Sequence, residues 1–475
     1  MRKFLPAFLM ALMGGVALAS PVTFIERAPY DETGIDVAVD QSALHGILPE
    51  AELTDLVEAG RRLFNTHFTT NDGAGRPLAT QATIPTHFKH PREIVFQRAS
   101  GPDANACSSC HNKPSSGGAG DFTANVFTSE GTESADFDSV DPQFSNERNT
   151  NHMFGSGLME LLAREMTGDL HAQRDAGFAE AMKSGEPVRV DLVTKGISFG
   201  SISISPNGVI DVSQLDGVDQ DLVVRAFSQK GVIPSLRMFT LNALNAHHGI
   251  EADERFGAAM TGEMDFDGDG VINELSPGLV SALVAYQATL PSPLPTPFDN
   301  SEWNAMAKQG SAVFAEAGCA SCHVPALPLY DLKFADPGPL DSAGTLAAGD
   351  VPEPALYDLS QLDWVAALPR DENGDVLVPM FGDLKRHEIA DDRTSHFGNE
   401  LMSQGFVPRS TFITAELWGV ADTAPYGHRG DLTTLDEAIR AHGGEAAASR
   451  DAYADLSEDD RNALLTFLKT LRMPQ

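Results

Sequence analysis

The chain has 475 residues, enough for two or three domains with sizeable cores, and its composition is that of an ordinary globular protein. Its formal net charge of -34 at pH 7 argues against nucleic acid and anionic membranes as partners. So acidic a surface either steers a basic patch of a partner toward it or serves solubility alone, and composition does not decide between these roles.

Residues 1–19 predict a secretory signal peptide. They join a basic start to a short apolar run and end in small residues at Ala17-Leu18-Ala19. We expect cleavage after Ala19 and a periplasmic protein; an uncleaved amphiphilic anchor is the alternative. No other run approaches the roughly 18 apolar residues of a membrane span, so we expect none.

All four cysteines of the chain lie in two Cys-x-x-Cys-His runs, Cys107–His111 and Cys319–His323. Such a run is typical of c-type haem attachment, because two thiols about one helical turn apart can add to the two vinyl groups of a porphyrin. The adjacent imidazole then becomes the proximal iron ligand. The sequence therefore predicts two covalent haem c groups, attached through Cys107, Cys110, Cys319 and Cys322 and ligated by His111 and His323.

Two other readings of the cysteines are weaker. A zinc site is disfavoured because the pairs lie about two hundred residues apart, whereas those of a zinc ribbon are separated by roughly 15 to 20. A disulfide redox motif would not require a histidine after each pair, nor two copies of the motif.

A predicted helix precedes each motif, at Glu50–Phe64 and Trp303–Phe314, and both helices end in Gly-x-x-x-Phe. In a small cytochrome c the corresponding helix crosses the terminal helix of the domain, and a glycine permits the close crossing. Gly60 and Gly310 are therefore the predicted crossing points.

Two closing helices complete the repeat. Ser276 and Pro277 begin one that reaches Leu290, and Ser457 caps another that reaches Leu471. Repetition of helix, motif and closing helix predicts a mainly α fold with two cytochrome-c-like domains. We expect the N-terminal domain at 20–290 with haem 1, a stiff Pro-rich linker at 291–297, and the C-terminal domain at 298–475 with haem 2.

Two further patterns predict short β-hairpins, one in each half of the chain. Residues 188–212 alternate with period two around Asn207-Gly208, which predicts a small β insertion with a hairpin in the first domain. Residues 371–375 indicate a second short hairpin in the other half of the chain.

Residues 265–274 match the first half of a calcium loop, with carboxylates at positions 1, 3 and 5 and glycine at position 6. Position 12 is Ser276, so Glu274 would have to replace the usual closing glutamate. The predicted Ca²⁺ ligands are Asp265, Asp267, Asp269 and Glu274, and a solvated acidic turn is the alternative.

Three runs resemble a known family. Thr423–His442 resembles the TAPY-x-HDG…LEEA stretch of bacterial di-haem cytochrome c peroxidases, and with Gly443–Ala446 it is closer to the related di-haem oxidoreductase family, formerly labelled thiol oxidoreductases. Arg148–Glu160 and Phe381–Glu388 are similar to two other runs of that family. Arg429 and His152 depart from it, standing where Asp and Pro are common.

The resemblance implies roles for individual residues. His442 stands where the peroxidases have a distal Met, so it is expected opposite His323 on the second iron, with a lower reduction potential than a His/Met haem. A helix-end histidine is the alternative. Glu160 is the candidate acid/base group, against a salt-bridged helix Glu, and Arg148 is expected to pair with a haem propionate.

The first haem is predicted to have an open position, because the segment 136–146, where the peroxidases place a distal His, contains none. The side chains that could instead close it are His152, Met153, His247, His248 and His387. Trp418 is expected to pack in the core beside the second haem.

The resemblance implies a periplasmic di-haem oxidoreductase that reduces hydrogen peroxide with electrons from a small redox protein, a cytochrome or a cupredoxin. The first alternative is a pure electron-transfer cytochrome with two six-coordinate haems. The second is a di-haem enzyme that oxidises residues in a partner protein.

Overall fold

A computed structural model describes residues 20–75, 104–120, 123–125, 147–394, 396–398 and 404–474. The predicted signal peptide and the segment 136–146 lie outside these ranges. No helix in the described part of the chain combines the length and apolar character needed to cross a lipid bilayer.

The structure is 39% helix and 16% strand, so helix predominates as expected. The α-helices of the described residues are α1 (Glu50–Asn65), α2 (Ser156–Ser184), α3 (Leu236–Ala243), α4 (Asp253–Phe256), α5 (Ala258–Thr261), α6 (Pro277–Thr289), α7 (Ser301–Glu316), α8 (Asp363–Ala366), α9 (Leu435–Arg440), α10 (Ala447–Asp455) and α11 (Glu458–Leu468). A single π-helical turn, Leu244–His248, continues α3.

The strands are mostly short. In the described residues they are β1 (Val22–Phe24), β2 (Val37–Val39), β3 (Gly46–Ile47), β4 (Thr123–Asn125), β5 (Glu147–Asn149), β6 (Val188–Thr194), β7 (Ile197–Ile204), β8 (Ile210–Leu215), β9 (Leu327–Leu329), β10 (Lys333–Asp336), β11 (Ala355–Asp358), β12 (Val376–Val378), β13 (Arg386–Glu388) and β14 (Thr411–Ile413). They form small sheets in the orders β1-β2, β10-β11-β3, β12-β9, β13-β14, β4-β5 and β6-β7-β8.

The predicted β insertion is a three-stranded antiparallel sheet, β6-β7-β8. The turn at Asn207-Gly208 joins β7 to β8, and Gly208 has the positive φ of 85° that such a turn favours. The second expected hairpin, at residues 371–375, is a turn closed by one isolated bridge between Arg370 and Val376. Strands β9 to β14 were not predicted, because runs of three or four residues are too short to show an alternating pattern.

Two helix pairs cross closely, each at a predicted glycine. Where α1 crosses α6, a Cβ on Gly60 would lie 1.9 Å from the carbonyl oxygen of Ala282. Where α7 crosses α11, a Cβ on Gly310 would lie 1.9 Å from the carbonyl oxygen of Ala463. The backbones therefore meet at distances that only glycine allows, and the two expected crossings are confirmed.

The predicted helix starts are also present. Pro277 occupies the first turn of α6 after Ser276, and the Ser457 side chain accepts a hydrogen bond from the backbone N–H of Asp460 at the start of α11. Pro at the first helical position has no N–H to leave unpaired, so it favours a helix start there.

The apolar core does not divide at the Pro-rich segment. The larger of two clusters contains α1, α2 and α6 side chains together with Phe334, Tyr357 and other residues after 326. Strand β3 pairs in parallel with β11, and the guanidinium of Arg237, fully buried, contacts both Glu254 at 2.8 Å and Asp336 at 2.9 Å. The domain boundaries at 290 and 298 stay a prediction.

The smaller cluster surrounds the second helix crossing. It contains Val313 and Phe314 of α7, Leu464 and Phe467 of α11, and Leu435 of α9. Because α7 and α11 contact each other through this cluster, the end of α7 is packed against α11 just before the second Cys-x-x-Cys-His motif.

We expect Gly60→Ala to lower the free energy of unfolding by about 1 to 3 kcal/mol, because the added Cβ meets backbone that must shift. Guanidinium unfolding of the purified protein measures the change. The matched control is Gly168→Ala on α2, whose added Cβ meets no atom within 4 Å and should be neutral or stabilising by up to about 1 kcal/mol. Equal stability of Gly60→Ala and wild type would contradict the crossing.

Candidate functional site

In space, the first Cys-x-x-Cys-His motif lies beside the C-terminal end of α1. A 3-10 turn spans Cys107–Ser109, and the backbone N–H of His111 donates to the carbonyl of Cys107 at 3.0 Å. The His111 ring lies 6.1 Å from that of Phe64 between centroids, and its Nδ1 donates to the carbonyl oxygen of Asn151 at 2.9 Å. This bond fixes the ring and leaves Nε2 available to a metal.

The second motif is held in the same way. Its 3-10 turn spans Cys319–Ser321, and the ring of His323 lies 6.4 Å from that of Phe314, at the end of α7. Nδ1 of His323 donates to the carbonyl oxygen of Phe381 at 3.1 Å. The two motifs thus share their turn, their packing on the Phe of Gly-x-x-x-Phe, and their Nδ1 anchor.

His442 faces the second motif. Its ring centroid lies 6.4 Å from that of His323, with 69° between the ring planes. Its Nδ1 donates to the carbonyl oxygen of Ala438 in α9 at 2.8 Å, so Nε2 is again the nitrogen left for a metal. An imidazole nitrogen binds a metal at roughly 2 Å and lies about 1 Å from its ring centre, so two rings on opposite sides of one metal have centres about 6 Å apart. The observed separation fits that arrangement.

Electrostatics keep both of these imidazoles neutral. Burial, with a further contribution from the neighbouring His442, lowers the pKa of His323 to about 4. Burial also lowers the pKa of His442. A neutral imidazole is the form that ligates iron.

Two histidines lie beside the first motif, on the π-helical turn Leu244–His248. Nε2 of His248 is 3.6 Å from Sγ of Cys107, and its Nδ1 donates to the carbonyl oxygen of Ala104 at 2.7 Å. The ring of His247 is 6.5 Å from that of His248. Burial and then the charge of His247 lower the pKa of His111 to about 4. Sequence spacing could not reveal this proximity, which the long-range fold creates.

The other candidate ligands of the first haem have different partners. Nε2 of His152 donates to the carbonyl oxygen of Trp418 at 2.9 Å. Trp418 is buried in the larger apolar cluster, as expected of a core residue, and its place beside the second haem stays a prediction. Met153 packs on the edge of the same cluster.

His387 belongs to the second motif, where it groups with Cys322 and Asp383. Its ring nitrogens contact carboxylate oxygens of Asp383 at 2.9 Å and Glu445 at 2.8 Å. Burial alone would lower the pKa of His387, but the hydrogen bond to Asp383 and its other hydrogen bonds raise it to about 11. His387 is thus an imidazolium, a poor ligand.

Among the described residues, the group of Cys322, Asp383 and His387 is the one possible metal-binding group that includes a cysteine. Nothing there joins the two cysteine pairs in a zinc site.

Both carboxylate oxygens of Glu160 are engaged. Oε1 accepts from Arg164 at 2.6 Å, and Oε2 accepts from the backbone N–H of Leu236 at 2.8 Å, at the start of α3. Burial raises the pKa of Glu160 to about 7. The residue therefore has a structural role, and an acid/base role stays a prediction.

Arg148 lies in β5, and its charge, after burial, helps to lower the pKa of His428. A contact with a haem propionate stays a prediction.

The calcium-like loop brings its carboxylates together as two groups that share Asp267. One group is Asp265, Asp267 and Asp269; the other joins Asp267 and Glu274 to Glu251. In each group the nearest oxygens all lie within 4.8 Å of one another. Glu251 was not predicted, because it lies outside the loop and no spacing rule connects it to Asp265.

Glu160→Gln should lower the free energy of unfolding by about 3 kcal/mol, because it leaves the nearly buried Arg164 without its counter-charge. Urea unfolding measures this loss. Glu58→Gln is the matched control, since Glu58 and Arg62 form the same i,i+4 pair at half-exposed positions and should lose less than about 1 kcal/mol. Equal losses in the two variants would contradict a structural role for Glu160.

Comparison with known proteins agrees with the motifs of the second half. Residues 378–471 match the profile of the family described as "Di-haem oxidoreductase, putative peroxidase". Two of the three resembling runs, Phe381–Glu388 and Thr423–His442, lie inside this match. No curated protein sequence matches the chain.

Two solved structures show weak likenesses. Hydrazine synthase of Kuenenia stuttgartiensis has 13% identity and a TM-score of 0.36, covering 98% of this chain and 100% of that one. A MauG-like protein associated with microbial copper homeostasis has 15% identity and a TM-score of 0.27, covering 57% of this chain and 78% of that one. TM-scores this low carry no argument about function. The profile match over residues 378–471 confirms the resemblance of this part of the chain to the di-haem oxidoreductase family.

Proposed function

We propose that this chain is a periplasmic oxidoreductase with two covalently attached haems, which reduces hydrogen peroxide to water with electrons from a small redox protein. The observation that carries the proposal is the His323–His442 pair, whose ring centroids lie 6.4 Å apart. That separation suits one iron between two imidazoles, and His323 belongs to one of two motifs that are anchored alike.

The residues of each motif fit a covalent haem. The four cysteines are free thiols and half-buried, not disulfides, so each pair is available for thioether bonds. His111 and His323 direct Nδ1 to a backbone carbonyl, which leaves Nε2 for iron. Cys107, Cys110 and His111 would hold haem 1. Cys319, Cys322, His323 and His442 would hold haem 2.

The haems would supply one-electron redox chemistry, and the reduction of one peroxide to two waters consumes two electrons and two protons. The chain must then provide the protons through a positioned acid/base group. Glu160 has a pKa near neutrality, but it would have to leave Arg164 and the N–H of Leu236 to act. Glu160 is the candidate for this group.

Ligation by His442 would lower the reduction potential of haem 2. A haem with His and Met ligands has a higher reduction potential than one with two His ligands. His442 replaces the Met of the resembling peroxidases, so haem 2 of this chain should be a stronger reductant than theirs.

The acidic charge of the chain suggests that its electron donor has a basic surface. A net charge of -34 would attract a small redox protein with a positive patch, and salt would weaken the encounter. The export signal predicted at residues 1–19 supports a periplasmic location, where a small cytochrome or cupredoxin would be the donor.

A second candidate function, an electron-transfer cytochrome without peroxidase activity, is favoured by one observation. His247 and His248 lie beside the first motif, and Nε2 of His248 is only 3.6 Å from Sγ of Cys107. If either ring binds the first iron, the haem is six-coordinate and peroxide has no place to bind.

His442→Ala should convert haem 2 from low spin to high spin, because it removes one of two strong-field ligands. His442→Met should retain low spin and raise the reduction potential. Electron paramagnetic resonance and redox titration measure these changes, with the exposed His45→Ala as the control. An unchanged low-spin signal in His442→Ala would show that His442 is not a ligand of the iron.

Peroxide turnover tests the function itself. With a reduced small cytochrome or cupredoxin, the protein should oxidise two donor molecules for each peroxide consumed, and the rate should fall as ionic strength rises. The optical spectrum of the half-reduced protein should show a five-coordinate haem 1. No turnover, with haem 1 six-coordinate in every redox state, would favour the electron-transfer cytochrome. Peroxide consumption that proceeds only with a protein substrate would favour oxidation of a partner.

A further inference from the structure

We propose that Glu251, Asp267 and Glu274, with the neighbouring Asp265 and Asp269, form a binding site for one Ca²⁺ ion that braces the segment carrying His247 and His248. The site is distinct from the haem motifs and does not depend on the peroxidase proposal.

The two glutamates are buried. Glu251 is 5% exposed and Glu274 is 9% exposed, and their side-chain oxygens lie with that of Asp267 within 4.8 Å of one another. In the described part of the chain, no lysine or arginine forms an ion pair with Glu251, Asp267 or Glu274. Three carboxylates this close would repel one another without a counter-ion.

One oxygen of the cluster has no partner. Oε1 of Glu251 is buried and has no hydrogen bond among the described residues. An unpartnered buried acceptor costs free energy, and a cation among the three carboxylates would bind it. Oε2 of Glu274 differs, since it accepts from the backbone N–H of Glu251 at 2.6 Å. The orphaned oxygen therefore identifies Glu251 as a ligand.

The dimensions suit calcium. Ca²⁺ binds six to eight oxygens at about 2.3 to 2.6 Å, so oxygens on opposite sides of the ion lie about 4.8 Å apart. The oxygens of both groups fall within that limit, and all the ligands are carboxylates, which hard cations prefer. Mg²⁺ is a poorer fit because it retains several waters and seldom takes this many protein carboxylates.

Glu251 also explains how the loop closes. Oδ1 of Asp265 accepts from the backbone N–H groups of Gly268 and Asp269, as in the first half of a calcium loop. The twelfth position, Ser276, provides no carboxylate. Glu251, from the segment before the loop, supplies a closing carboxylate together with Glu274.

Without a cation, burial disfavours the charged forms of Glu251 and Glu274. Burial, and the charge of Asp267, raise the pKa of Glu251 to about 8. Burial also raises the pKa of Glu274 to about 10. The alternative to a bound cation is thus that Glu251 and Glu274 are a protonated pair at neutral pH.

The site adjoins the segment beside the first motif. Glu251 follows Gly249 by two residues, and the carbonyl of His248 accepts from the backbone N–H of Gly75 at 3.1 Å. Ala252 forms a parallel bridge with Leu275, next to Glu274. A cation between Glu251 and Glu274 would therefore anchor the end of the π-helical turn Leu244–His248 to the start of α6.

Calorimetric titration with CaCl₂ tests the site on full-length holoprotein that has been treated with EGTA and desalted. We expect one Ca²⁺ per chain, weaker binding of Mg²⁺, and a rise in Tm when Ca²⁺ is saturating. Glu251→Gln should weaken Ca²⁺ binding at least tenfold. Asp371→Asn, in the similar acidic turn at residues 371–375, is the matched control and should bind as wild type does.

Hydrogen exchange tests whether Ca²⁺ stabilises the segment that carries His247 and His248. Ca²⁺ should slow amide exchange in residues 244–252 as well as in the loop, and slowing confined to the loop would overturn the bracing role. Should Glu251→Gln fail to fold, Glu251→Asp keeps the charge but shortens the reach, and it should also bind more weakly.

Two results would overturn the site. Fully folded wild type that binds no Ca²⁺, and that carries none when purified, would indicate the protonated pair. Ca²⁺ bound equally by wild type and by Glu251→Gln would assign the ion to the group of Asp265, Asp267 and Asp269. Peroxide turnover is not measured in these experiments, so their failure leaves the proposed function unaffected.

Discussion

The close contact of two helix pairs, each at a glycine, determines where the chemistry of this protein is placed. At Gly60 and Gly310 a helix lies against the carbonyl of a second helix with no room for a side chain. The ends of α1 and α7 are fixed by these contacts, and Phe64 and Phe314 at those ends pack on His111 and His323. Each backbone contact thereby positions a phenylalanine about one helical turn further along the helix, and that ring packs on the imidazole of the motif.

A second constraint is the burial of charge between the two halves of the sequence. Arg237 bridges Glu254 and Asp336, and Arg164 contacts Glu160 and the carbonyl oxygen of Ala335. Such pairs contribute little net stability but are costly to break, so they specify how residues before and after the Pro-rich segment pack. The shared apolar cluster has the same effect. Strand β10, which carries Asp336, is thereby held against the helices of the first half of the chain.

Much of this could be predicted from local patterns. Cysteine spacing, the two crossing glycines, the Asn-Gly turn and the helix starts at Pro277 and Ser457 are each encoded within a few residues. His442 required the family resemblance, because no spacing rule connects it to His323. Contacts between distant segments were not predictable: His248 reaches Cys107 and Glu251 reaches Asp267 only through the fold. The short strands after residue 326 were missed because period two needs more residues than they have.

We propose that each Cys-x-x-Cys-His motif carries its own covalently bound haem. Intact-protein mass spectrometry under denaturing conditions tests this most directly, on protein exported and matured in a host with haem-attachment machinery. We expect the mass of the polypeptide plus two haems, with loss of one haem in Cys107→Ala/Cys110→Ala and of the other in Cys319→Ala/Cys322→Ala. A single haem, or the mass of the bare polypeptide, would contradict the account.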